Sequence, residues 1–104
     1  MKFITLLPKA YNDGSEVSPQ TVEEIVEAVS FQFGGCTVAG DAKGAWVHEG
    51  NLYRDETIVL ICHCDNSRYT EARDAVIAIG RKLNQLEMYF EVQDFDGAEN
   101  LKVE

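Results

Sequence analysis

The sequence predicts an α+β sandwich, and three observations carry that prediction. Apolar periodicities run in the order strand, helix, strand, strand, helix, strand. Each helical segment shows a single apolar stripe, which is what a helix covering one sheet face requires. The segment Thr57-Ile-Val-Leu-Ile-Cys-His-Cys-Asp65 is apolar at both alternating positions along most of its length, which places it in the middle of a sheet.

Residues 2–8 form a short apolar strand ended by Pro8, and Asn12-Asp-Gly14 favours a tight turn after it. Ser18-Pro19 is a helix start, with Ser as N-cap and Pro at the first helical position. Glu23 and Glu24 are expected near the positive end of that helix dipole. Val22, Ile25, Val26, Val29 and Phe33 supply the stripe, and Gly34-Gly35 stops the helix. The next strand, from Cys36 to His48, is broken by Gly40, Gly44 and charged residues, which suggests a bulge or bend. Glu49-Gly-Asn51 is a hairpin turn into Leu52 and the central strand. Asn66 to Thr70 is expected to cap a second helix with the stripe Ala72, Ala75, Val76, Ile79 and Leu83. Met88 to Val92 is the last strand, and residues 93–104 form an acidic C-terminal segment. This order is that of a ferredoxin-like βαββαβ sandwich: a four-stranded antiparallel sheet with two helices on one face.

A chain of 104 residues is one domain, with enough apolar content (45%) for a single two-layer core. No apolar run approaches the roughly 20 residues needed to span a bilayer, and a cytoplasmic location is expected. The odd cysteine count excludes a simple disulfide framework. The net charge of −9 opposes binding to nucleic acid backbones and anionic membranes, both of which need clustered Lys and Arg. The last 18 residues hold six acids (Glu87, Glu91, Asp94, Asp96, Glu99, Glu104) against Lys102 alone. Such a surface serves solubility, or docks on a basic groove of a partner.

Alternation along the central strand sets Ile58, Leu60, Cys62 and Cys64 against Val59, Ile61, His63 and Asp65. No metal is expected at Cys62-His63-Cys64. Residues two apart on a strand lie about 6.5–7 Å apart, which is unsuited to two short Zn–S bonds, and His63 faces away from both thiols. No cofactor motif occurs either. The sheet face away from the helices could gather Thr5, Trp46, His63, Tyr89 and Glu91. On such a platform His63 could act as general base assisted by Tyr89 or Glu91. The plainer alternative is a solvated strand end and a solvated face. Trp46, His48, Tyr53 and Arg54 surround the hairpin, where an aromatic tip with an arginine can stack on a planar ligand or anchor a protein. Equally, Trp46 could serve as core.

Asn12-Asp-Gly14, Phe33-Gly-Gly-Cys-Thr37, Gly44-Ala-Trp46 and Gln85-Leu-Glu-Met-Tyr-Phe-Glu91 together resemble a loose group of small uncharacterised proteins from bacteria, phages and mobile elements. The resemblance spans most of residues 2–92 and implies an α+β fold with no agreed activity; Cys62-His63-Cys64 is not part of that shared pattern. The leading expectation is a non-enzymatic homo-oligomer, a dimer, with pockets at the open sheet face or subunit junction. It would capture a small signalling molecule or block a host defence protein, as a phage-encoded anti-defence protein could. A small enzyme using His63 and an acidic nucleic-acid mimic are the alternatives.

Overall fold

The computed structural model describes residues 1–94 and 97–103. Its elements are β1 (Lys2–Pro8), α1 (Pro19–Phe33), β2 (Thr37–His48), β3 (Asn51–His63), α2 (Tyr69–Lys82) and β4 (Phe90–Gln93). The strands form one antiparallel sheet in the order β2-β3-β1-β4. This is the expected ferredoxin-like arrangement, with the first and third strands at the centre.

Local chemistry fixes both helices. Ser18 Oγ accepts the Thr21 amide at 3.1 Å, Pro19 occupies the first turn, and Gly34 closes α1 with φ at 86°. That left-handed closure strains any residue carrying a Cβ. Glu23 and Glu24 fall beyond the first turn, which carries no acid. Glu24 pairs instead with Lys82 of α2 at 3.0 Å. The second helix is also capped differently from the expectation. Asp65 Oδ1 accepts the Ser67 amide at 2.8 Å, a 3₁₀ turn spans Asn66–Arg68, and α2 continues from it. Asp65 is thus a capping residue at the start of this turn, just past the end of β3.

One face of the sheet packs on the helices. Phe3 and Leu7 from β1 and Leu60 and Cys62 from β3 meet Ile25, Val29 and Phe33 of α1 and Ala72, Val76 and Ile79 of α2. Thr5 lies on this face too, fully buried, contrary to its expected place on the open face. Its hydroxyl donates to the Tyr89 carbonyl at 2.7 Å, so the buried oxygen is satisfied. Arg68 ties the two helices together. It grips Glu71 with two hydrogen bonds of 2.9 and 2.7 Å, donates to the Gln32 carbonyl at 2.8 Å, and lies 4.8 Å from the Phe33 ring centroid.

The sheet is lopsided. β1 follows β3 only as far as the Pro8–Thr57 pair, after which Lys9 donates to the Glu56 carbonyl. β2 and β3 continue alone from Gly44–Asp55 to His48–Asn51, a free two-stranded ribbon about 17 Å long. Glu49 and Gly50, with φ of 50° and 78°, make the two-residue turn at its tip. The molecule therefore extends 52 × 28 × 26 Å, with a radius of gyration of 15.0 Å. A compact chain of this length gives about 13 Å. β2 also carries the expected bulge, between Val38 and Asp41.

Candidate functional site

Cross-strand register decides which candidate residues meet. On the open sheet face one row runs Ile61–Ile4–Glu91 and the next runs His63–Lys2–Gln93. His63 and Glu91 are therefore two strands and one diagonal apart, with Cα atoms about 12 Å from each other. Tyr89 and Glu91 do come together, since the Tyr89 hydroxyl donates to Glu91 Oε1 at 2.5 Å and Gln93 donates to Oε2. This contact raises the Tyr89 phenol and, with Gln93, holds the Glu91 carboxyl low. The arrangement supplies a hydrogen-bonded pair at one sheet edge and a histidine at the end of the central strand. It does not place His63 within proton-transfer reach of either partner.

The ribbon brings a different set together. Trp46 and Tyr53 are directly opposed and stack, with centroids 4.6 Å apart and planes at 19°. His48 leans toward Trp46, 6.3 Å between centroids, while its Nε2 lies 3.7 Å from Glu49. Arg54 does not join this stack. It pairs with Ala45, so alternation turns it to the other face, where it lines a cleft of about 780 Å³ at the ribbon base with Lys9, Tyr11, Glu16 and Glu56. Lys9 is held there by Asp41 at 2.6 Å. A Cβ on Gly44 would meet the carboxylate of Asp55, an exposed side-chain end that would have to swing aside.

Val47 and Leu52 are directly paired and stand 67% and 57% exposed on the opposite ribbon face from Trp46 and Tyr53, which are 50% and 42% exposed. Sequence reasoning singled out the aromatic pair and missed the aliphatic one. The signal was present in Trp46-Val47 and Leu52-Tyr53, because consecutive apolar residues in a strand must face opposite sides. The ribbon carries apolar side chains on both faces, and all four of them stand at least 42% exposed.

No protein-family model and no curated protein sequence matches this chain. Solved structures do. The divalent cation tolerance protein Cut A1 from Thermus thermophilus superposes with a TM-score of 0.69 over 95% of this chain and 88% of its own, at 10% identity. The fold is that of CutA1. A CutA1 variant from Pyrococcus horikoshii gives a TM-score of 0.67 over 95% of this chain and 87% of that one, at 13% identity. Both CutA1 likenesses extend over nearly the whole chain, so the ribbon and the open sheet belong to a known architecture. Identities this low establish the fold and carry no ligand across. Among the described residues, no group of three or more His, Cys, Asp or Glu is placed to hold a metal ion. Among the same residues, no helix is long and apolar enough to cross a membrane. Asp96 and Glu104 of the acidic C-terminal segment lie outside the described residues.

Proposed function

We propose that the protein is a non-enzymatic binding protein that works as a homo-oligomer, with its ribbon seated on the open sheet face of a second copy. The observation that carries this reading is the ribbon, apolar on both faces and projecting from the globule. The same chain offers a matching surface, since Ile4, Leu6, Val59 and Ile61 leave the open sheet face apolar and only partly buried. Four half-exposed ribbon side chains offer roughly 350 Å². With the sheet face added, the contact approaches the ~800 Å² per partner of a stable interface. Ligand capture then falls to the junction, where the Trp46–Tyr53 stack and His48 border a neighbour's sheet.

Binding is favoured over catalysis by the separation of His63 from the Tyr89–Glu91 pair. A phage or anti-defence task draws no support from the CutA1 likeness.

Native mass spectrometry of the purified protein, under gentle and then denaturing conditions, tests the proposal. The expected spectrum shows an oligomer, with any captured small molecule appearing as excess mass that disappears on denaturation. A monomer at about 100 μM, a concentration at which even a micromolar interface is filled, refutes the assembly.

A further inference from the structure

The three cysteines take no part in the assembly reading, and their placement has a chemistry of its own. β2 and β3 are in register at Thr37–Ile61, and continuing that register one step beyond the end of β2 sets Cys36 opposite Cys62. Opposed residues share a face, so both thiols point into the helix layer. The Cys36 Sγ contacts confirm this, at 3.3 Å from Ser30 Oγ and 3.7 Å from the Val26 carbonyl of α1. The neighbouring Cys36 thiol also adds to burial in raising the Cys62 thiol, as two groups close together would. Directly opposed strand residues have Cβ atoms about 4.5–5.5 Å apart, near the 3.5–4.5 Å of a disulfide. Cys64 is displaced by two residues on the same face, and the diagonal of about 7–8 Å puts it out of bonding range of Cys36.

We infer that Cys36 and Cys62 form a peroxide-sensitive pair that closes to an intramolecular disulfide, fastening the root of β2 to the centre of the sheet. The two residues are unequally accessible: Cys36 is half-buried and Cys62 is fully buried. Burial also pushes the Cys62 thiol up to about 12, so it stays protonated and unreactive toward solutes at neutral pH. Cys36 is therefore the residue that meets an oxidant from solution and Cys62 the one that resolves it.

The reaction balances with hydrogen peroxide as the oxidant. Cys36 Sγ attacks one peroxide oxygen, the O–O bond breaks, and water leaves as a sulfenic acid forms on Cys36. Cys62 Sγ then attacks Cys36 Sγ. The S–S bond forms, the S–O bond breaks, and the Cys62 proton leaves with the second water. Two thiols give up two protons and two electrons, which reduce one peroxide to two waters. The second step is slow, because Cys62 releases its proton only as the new bond forms.

The folded full-length protein is treated with hydrogen peroxide, quenched by alkylation, and read by intact-mass and peptide-mapping mass spectrometry. Wild type and Cys64→Ser are expected to lose about 2 Da each, with one linked peptide pair joining Cys36 to Cys62 and reversal by dithiothreitol. Cys36→Ser is expected to show no such loss. Brief alkylation of untreated wild type, which depends on no variant folding, is expected to label Cys36 well before Cys62. A Cys36–Cys64 link, an intermolecular link, or oxygen addition at Cys36 without cross-linking would overturn the inference, as would labelling of Cys62 first.

Discussion

Truncating Trp46 to alanine tests the ribbon's role quantitatively. About half of the Trp46 surface is open in the isolated chain. For a side chain that buries 150–250 Å², that is roughly 100–125 Å² available to a second subunit. At about 25 cal/mol per Å² its burial stabilises the contact by about 3 kcal/mol. Alanine retains part of this, so Trp46→Ala should weaken each contact by about 2–3 kcal/mol, a 30- to 150-fold rise in dissociation constant. The substitution lies outside the buried core. Locally it removes only the stack on Tyr53, worth about 0.5–1.5 kcal/mol. Sedimentation velocity over a dilution series reads the dissociation constant directly, and far-UV circular dichroism checks that the subunit is still folded. An oligomer whose dissociation constant moves less than threefold would refute the reasoning, because the largest exposed ribbon side chain would then contribute nothing to assembly.

Two further expectations concern the subunit itself. Leu60→Ala empties a fully buried position at the centre of the sheet and should cost about 2–5 kcal/mol in urea unfolding, whereas a loss under 1 kcal/mol would mean the core collapses around it. Arg68, then Gln32, hold the Glu71 carboxyl down to about 2, below its ordinary 4.5. A folded-state value below the unfolded one means stability that is present above pH 4.5 and lost as pH falls toward 2. Glu71→Gln should therefore flatten the acid limb of a thermal-melt series between those pH values, and an unchanged limb would show that the exposed pair contributes nothing.

Much of the fold was legible because its punctuation is chemical. Ser18-Pro19 and Gly34 bound α1 through hydrogen bonds and backbone angles that these residues favour locally. The apolar stripes of both helices needed no tertiary information either. Thr5 was not legible in this way. It was grouped with the open face, but strand parity with Phe3 and Leu7 buried it, and the Tyr89 carbonyl, distant in sequence, satisfied its hydroxyl. Asp65 likewise read as the last residue of the central strand, while the helical turn that follows recruits it as a cap. Grouping His63 with Glu91 failed because adjacency on a face depends on strand order, and β1 stands between them. The ribbon's length was hidden for a related reason. It is set by where β1 ends relative to β3, a comparison between segments about 50 residues apart.

The bulge between Val38 and Asp41 keeps two phases in step. The turn at Glu49-Gly50 dictates the pairing from His48 back to Asp41, while the sheet centre dictates the pairing at Thr37 and Val38. Three chain steps on β2 are matched there to two on β3, from Leu60 to Ile58. That extra residue lets Trp46 share a face with the open sheet while Cys36 shares one with the buried core. Removing one residue from Ala39-Gly40 would match two chain steps to two, giving a regular ladder in which Val38 still opposes Leu60, Thr37 still opposes Ile61 and only the local bend is lost. The bulge thus lets Trp46 and Cys36, an even number of positions apart in one strand, serve opposite sides of the sheet, the surface offered to a partner and the pair of thiols inside.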